Sequence, residues 1–452
     1  MSRALPEAIV HFLRFSGTTS DYPDELKGFS RREWSHVIVW LDDAGLALYF
    51  LQKLKRTKAT EIVPTEVLSR LEHSLVANQQ RVAHMAHQFS SLNQQFDKAG
   101  VRYLVVKGLS LVPQFCPDAS LRHQSDFDYL VNHHSLPAAQ RVLQDAGYSR
   151  KNSLANEFAY FMPSAGEPPP ADEQYEAHAP YAVELRLAFW DSDFHGVPLA
   201  EPKFSVDNVR THRWQDLTFP ALPEEDAFLL QVIHAFNHIL TGWVRMSWLY
   251  EIGYFLNQRA TDISLWEGVQ GRIGGDWQLR EMVVVIAELA AKFFRAPLPC
   301  TFRSWARDLR PTVRIWIENY ARTWMFGKNQ PDQFSLFSAA KLVLFLHQQY
   351  LPDTRARRHR IRIRLFPWER FSQRATSITT KSSTNTGGRK RQIKRMLIRL
   401  LFHVTTGLRY LWEVPRWRRL NEAVACLAES SHHDSVTDLV EAQRPRSTIQ
   451  FF

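Results

Sequence analysis

Asp126-Phe127-Asp128 is the part of this sequence whose residue types and spacing most clearly suggest chemistry. It lies in Ser125-Asp126-Phe127-Asp128-Tyr129-Leu130-Val131, an alternating stretch that predicts a β-strand. Side chains at i and i+2 of a strand share a face, which places the two carboxylates about 6–7 Å apart at Cα. Two anions that close repel each other unless a cation neutralises them. A hard divalent ion such as Mg²⁺ meets that need, because it takes oxygen ligands from carboxylates and phosphates. Phe127 then points to the opposite face, into the core.

A third carboxylate, Glu184, sits in the alternating stretch Tyr181-Ala182-Val183-Glu184-Leu185-Arg186-Leu187. An adjacent strand there would bring it to the same cluster. Upstream, Lys107-Gly108-Leu109-Ser110 offers a glycine for close backbone approach, a helix start for phosphate, and a hydroxyl. Together these residues describe a phosphate-and-metal site suited to phosphoryl or nucleotidyl transfer. A bare Asp-x-Asp is common in solvated loops. Weight comes from the order: strand, glycine turn, helix, strand with Asp-x-Asp, then strand with Glu.

The elements that must hold these residues can be read from periodicity. Residues 1–99 read as helical, with a break near Gly45 and a long helix after Pro64 whose apolar face runs from Leu68 to Phe96. Gly100 sits where a helix C-terminal glycine belongs. The period changes at Val101–Val106, a short β-branched and aromatic run expected to be a buried strand. A short helix is expected over Leu109–Phe115, and another over Leu136–Ala146, closed by Gly147. A further strand pair is expected at Phe158–Met162 and Ala182–Phe189, joined by a Pro/Glu/Ala-rich loop over 163–180. Helices return at Pro223 and continue to about Tyr350, including Trp248–Leu256 and Glu281–Phe294. The expected class is therefore α+β and helix-rich: a helical region 1–99, a small α/β core 100–220, a helical domain 221–350 and a basic segment 351–452 containing a Ser/Thr/Gly-rich linker at 375–388.

At these residues the sequence resembles the uncharacterised bacterial nucleotidyltransferase family of the DNA polymerase β superfamily. The resemblance is strongest at Lys107-Gly108, Arg122 and Asp126–Val131. It extends to Arg32-Glu33-Trp34, Val63-Pro64, Ala99-Gly100-Val101, Pro223-Glu224-Glu225-Asp226 and the helix carrying His234 and His238, covering about residues 20–350. Three positions depart from the family pattern: Leu109 rather than serine follows Gly108, Arg186 stands where His is frequent, and Glu251 stands where Asp is usual.

The resemblance implies a polymerase β-like catalytic core and in-line nucleotidyl transfer from an NTP to an acceptor. It implies that Asp126 and Asp128 bind Mg²⁺ (with Mn²⁺ as a substitute) and that Glu184 completes a two-metal site and assists the attacking hydroxyl. Gly108 and Ser110 would contact the β/γ-phosphates, and Lys107 or Arg122 would neutralise the departing pyrophosphate. Apart from that role, Arg122 reads as a surface cation or as a partner of Asp118. A catalytically silent NTP- or partner-binding scaffold of the same fold is the competing reading, and a kinase-like activity on the same metal site is another.

Composition excludes several classes. The chain has 452 residues, 45% hydrophobic and 23% charged, which suits two or three globular domains and excludes collagen-like or wholly disordered chains. Cys116, Cys300 and Cys426 are far apart and form no CxxC pair, so they read as thiols of a reducing compartment. No secretory signal is evident, since Pro6, Glu7, His11 and Arg14 interrupt the N-terminal apolar run. The sequence lacks GxxxxGK[ST], GxSxG and GxGxxG, which argues against P-loop, hydrolase and dinucleotide chemistry. His234 and His238 lack a third ligand and read as a polar helix face lining the cleft.

The net charge of +10 is unevenly distributed. Residues 351–420 hold 19 Lys+Arg and three acids, a balance of +16, so the remainder is mildly acidic at −6. This segment suits an anionic membrane surface or nucleic acid, or packs on the protein with its arginines solvated. The expected location is cytoplasmic, with peripheral attachment to the inner membrane surface as one reading.

Overall fold

The computed structural model describes residues 4–15, 23–154, 156–162, 174–177, 179–199, 204–327, 338–366 and 386–442. The chain divides into two compact units: Met1–Asp308 with Tyr350–Asp353, and Leu309–Gln349 with Thr354–Phe452. The protein is α+β and helix-rich, with one mixed sheet among the described residues.

The first unit begins with α1 (Leu5–Phe12), α2 (Arg31–Ala44), α3 (Ala47–Arg56) and α4 (Thr65–Lys98). Ser30 and Glu33 close a capping box at the start of α2, and Gly45, at φ 70°, ends it in the left-handed conformation that glycine adopts without strain. The 34-residue α4 buries Leu71, Val82, Met85, Phe89, Leu92 and Phe96 along one face.

Among the described residues seven strands follow: β1 (Tyr103–Val105), β2 (Asp126–Val131), β3 (Ser149–Leu154), β4 (Glu157–Phe161), β5 (Ala182–Arg186), β6 (Arg210–Trp214) and β7 (Leu217–Ala221). Their order across the sheet is β3-β4-β5-β2-β1-β7-β6. β2 runs parallel to β5 and antiparallel to β1, and β1 runs parallel to β7. α5 (Leu136–Asp145) follows β2, and α6 (Ser192–His195) follows β5. α4 covers one face of the sheet: Phe89 packs on Phe127 at 5.6 Å and on Phe219 at 5.0 Å, while Phe96 meets Tyr129 edge-on at 5.2 Å. That leaves the other face of β2 for Asp126 and Asp128.

Where a helix was expected over Leu109–Phe115 there is only a 3₁₀ turn, Gly108–Leu111. Pro113 disfavours helical geometry at the residue before it, and Val112 is extended (ψ 134°). Strands β3, β6 and β7 were not anticipated. Of the loop expected over 163–180, only 174–177, 179 and 180 are described.

The helices that complete the first unit are α7 (Glu224–Thr241), α8 (Met246–Arg259), α9 (Ile263–Ile273), α10 (Trp277–Phe294) and α11 (Cys300–Arg307). α10 is buried nearly all round, from Leu279 to Phe294, which accounts for its near-continuous apolar sequence. The described residues of the second unit include α12 (Pro311–Asn319), α13 (Ala321–Met325), α14 (Val343–His347), α15 (Thr354–Leu365) and the long α16 (Thr386–Ala442). Of the linker expected at 375–388, residues 375–385 lie outside the described residues, and Thr386–Gly388 begin α16. Among the described residues no helix is long and apolar enough to cross a membrane. None of Cys116, Cys300 and Cys426 forms a disulfide.

Candidate active site

The parallel pairing of β2 with β5 sets the site. Its register places Asp126 beside Ala182 and Asp128 beside Glu184. Residues paired in register share a face, so Glu184 joins the two aspartates opposite Phe127. One oxygen from each of Asp126, Asp128 and Glu184 lies within 4.8 Å of the others. The three predicted carboxylates are thus brought together from two strands separated in sequence by a long connection.

Two cations of the protein already face this cluster. Lys107 Nζ lies 2.9 Å from Asp128 Oδ1, and Arg186 Nε lies 3.0 Å from the same oxygen. The Arg186 guanidinium also pairs with Glu184 and, at 2.6 Å, with Glu157 on β4. Burial alone would raise the Asp128 carboxyl, but Lys107 and Arg186 outweigh it and hold it at about 2. Burial and the neighbouring Asp128 charge push Glu184 up to about 8 despite Arg186, and the same two causes raise Asp126. Burial opposes the charge on Arg186 as well, but Asp128, Glu184 and Glu157 raise its pKa. The site is therefore one network of three carboxylates against Lys107 and Arg186, buried at Asp128 and Lys107 and half-buried elsewhere, with Glu157 at its edge.

The turn after β1 shapes one wall. Gly108 has φ 64°, and a Cβ there would stand 2.3 Å from Gln124 Nε2, so both conformation and space call for glycine. Gln124 is held in that position by donating to the backbone carbonyl of Asp126 at 2.9 Å. The Ser110 hydroxyl donates to the Lys107 carbonyl at 3.1 Å, tightening the turn that presents Lys107.

Arg122 is neither a surface cation nor a partner of Asp118. Its Nε lies 3.1 Å from Glu251 Oε1 on α8, and the Tyr49 hydroxyl donates to that same oxygen at 2.9 Å. Asp118 instead accepts from the backbone N–H of Ser120 at 2.8 Å. Burial works against the Arg122 charge, but Glu251 raises its pKa.

His234 and His238 on α7 pack with each other and with Trp248 at ring distances of 4.5–4.6 Å, and Trp243 stacks edge-on against His238. Burial, followed by the nearby charges of Lys107 and Arg186, pushes His238 down to about 3 and His234 well below its ordinary value. They are neutral rings in an aromatic cage beside the cationic side of the site. Among the described residues only the Asp126, Asp128 and Glu184 group can offer three ligands to a metal, so the histidine pair forms no second centre.

The sequence reading missed Arg186 as a site residue, together with Glu157 and Gln124. The available signal was local: Arg186 stands two residues after Glu184 in the same strand and therefore on the same face.

The donor set fits a hard divalent cation. It consists of carboxylates alone, grouped closely enough for one ion, and no N–H bonds the buried second oxygen of Asp128, Oδ2. An oxygen-ligand cluster next to a glycine turn and the cations Lys107 and Arg186 can hold a metal–triphosphate and balance its charge. Residues 30–295 match the family described as uncharacterised nucleotidyltransferase. No curated protein matches the chain.

Proposed function

The chain belongs to the uncharacterised nucleotidyltransferase family, and from that premise we propose a Mg²⁺-dependent transfer of a nucleotidyl group from an NTP to a hydroxyl or phosphate of its acceptor, in the cytoplasm. The observation that carries this reading is the convergence of Asp126, Asp128 and Glu184 on one face of β2 and β5. In a polymerase β-like core, Asp126 and Asp128 hold the ion against the triphosphate, and Glu184 completes a second position and orients the attacking hydroxyl. A divalent ion bound there, Mg²⁺ or Mn²⁺, supplies charge stabilisation to the attacking and leaving oxygens.

The remaining roles fall to the chain's own groups. Gly108 lets the backbone approach the β/γ-phosphates, and Ser110 steadies that turn and contacts them. Lys107, at the mouth of the turn, meets the negative charge that develops on pyrophosphate. Arg122 reinforces that field from its fixed place on Glu251.

The test is to incubate the protein with Mg²⁺, each labelled NTP and a cell extract as acceptor source, and to follow pyrophosphate release. Asp126→Asn and Asp128→Asn are expected to abolish release; equal activity in these variants would sink the proposal. The protein's own cations on Asp128 favour a second reading, an NTP-binding scaffold without turnover. NTP binding with no release by the wild type would select it.

A further inference from the structure

The second unit contains a surface that nucleotidyl transfer does not use. α16 is fixed by one face. Phe402, Thr406 and Tyr410 are buried, Tyr410 stacks on Phe345 at 4.8 Å and accepts from Gln348 Nε2 at 2.8 Å, and Trp417 stacks on Phe345 at 4.8 Å. Lys341 Nζ donates to the His403 carbonyl at 2.6 Å, and a Cβ added at Gly407 would meet Leu365 of α15 at 3.7 Å. With that face docked, the opposite face is turned outward in a fixed orientation.

The outward face is apolar. Met396, Leu400, Val404, Leu408, Leu411 and Trp412 are each between 46% and 84% exposed, Trp412 the most. At 3.6 residues per turn they fall within an arc of about 160° and form a stripe about 24 Å long. Isolated exposed apolar residues need no explanation, but a continuous stripe of this size marks an interaction surface. Met396–Trp412 contains no acidic residue. Arg416, Arg418 and Arg419 are exposed at the C-terminal end of the stripe, and Arg355, Arg357, Arg358 and Arg362 are exposed on α15, which packs against α16. Glu413 is the one acid in α16 between Thr386 and Leu420, and it is occupied by Tyr320 and Arg416.

We propose that this face of α16 lies flat on an anionic lipid bilayer, with the stripe in the headgroup–acyl boundary and the arginines of α15 and α16 on acidic headgroups. An apolar arc bearing leucines and a tryptophan, bordered by arginine and free of acid, is the chemistry that an interfacial helix presents to such a surface. A nucleic acid would use the arginines but has no use for the stripe. Since no described helix is long and apolar enough to span, the helix rests on the surface. The proposal stands apart from the reading of the active site.

The test is cosedimentation of the full chain with vesicles of phosphatidylcholine alone or with about 30 mol% phosphatidylserine, at low and high salt. Binding is expected to the anionic vesicles, weaker at high salt, and to fall at least about tenfold in the Leu400→Glu/Leu408→Glu double variant. Both positions face solvent, so the variant is expected to keep its circular dichroism and melting temperature. Absence of wild-type binding would overturn the proposal, as would unchanged binding by the double variant. A dimer that dissociates in the variant without any vesicle binding would assign the stripe to a second copy of the chain. Retention of single-stranded RNA without vesicle binding would assign the arginines to nucleic acid.

Discussion

The Arg186 guanidinium contacts Asp128 across the β2–β5 pairing, with Nε 3.0 Å from Oδ1, so a positive charge fixed to the protein sits against the carboxylates proposed to bind metal. The same side chain pairs with Glu184 and Glu157. It balances the carboxylate charge of the sheet, and it would compete with a cation bound there.

Exchange of Arg186 for a smaller group is therefore expected to separate these two effects. Arg186→Gln, and the milder Arg186→His, should bind Mn²⁺ about tenfold more tightly by calorimetry, because one competing charge has gone. In the absence of metal the Gln variant should lose about 3 kcal/mol, since buried Asp128 and half-buried Asp126 and Glu184 are left short of a cation. Unchanged Mn²⁺ affinity in both variants would show that Arg186 does not contend for the site.

Gly108 and Gln124 form a pair whose coupling can be measured. Gly108→Ala is expected to destabilise the protein by about 1–3 kcal/mol through a left-handed φ and the clash with Gln124. In a Gln124→Ala background the clash disappears and only the backbone cost, about 1 kcal/mol, should remain. Denaturant titration of the four proteins checks this. Equal costs in the two backgrounds would mean that the Gln124 side chain gives way freely.

Glu251 is expected to matter more through Arg122 than through itself. Glu251→Gln leaves the Arg122 guanidinium buried without its carboxylate, at a cost of about 3–5 kcal/mol. The double variant Glu251→Gln/Arg122→Met, which removes both charges, should recover much of that loss. If the wild type, the single variant and the double variant melt together, the ion pair contributes nothing to the fold.

His238 predicts acid lability. Its ring is neutral when folded, with a pKa pushed down to about 3 by burial and by Lys107, Arg186 and Arg245, whereas the unfolded chain titrates near 6.5. Below pH 6.5 the unfolded state binds the extra proton, so stability falls as the pH drops toward 3, by at most about 1.4 kcal/mol per pH unit from this residue. His238→Gln should flatten that slope between pH 6 and 4 in urea unfolding. A slope equal to that of the wild type would assign the acid sensitivity elsewhere.

Much of the site was legible because β2 and β5 are short alternating strands, so the period of two alone puts Asp126 with Asp128 and Phe127 behind them. The side chains that neutralise the cluster were less visible. Lys107 was visible as a cation at a turn, but its contact with Asp128 depends on how β1 pairs with β2, which periodicity does not state. Apart from a role at the phosphates, Arg122 read as a surface cation or a partner of Asp118, whereas its partner Glu251 comes from a helix more than a hundred residues away. Two of the three unanticipated strands share a cause. β3 is Ser-Arg-Lys-Asn-Ser-Leu, β6 is Arg-Thr-His-Arg-Trp, and β7 carries Pro220. β3 and β6 are the two edges of the sheet, where polar side chains are tolerated and the hydrophobic alternation that marks a strand fades. The helix expected after Gly108 yielded to Pro113.

The in-register partnership of Asp128 with Glu184 also determines which changes of chain length this protein can accept. Residues added between α5 and β3, outside both strands, cost little, because closing a longer loop is only logarithmically dearer. A single residue added or removed between Ala182 and Glu184 is different in kind. It turns Glu184 to the Phe127 side of the sheet and brings its neighbour to face the aspartates. Relatives and engineered forms can therefore vary widely in total length while the count within these two short strands stays fixed.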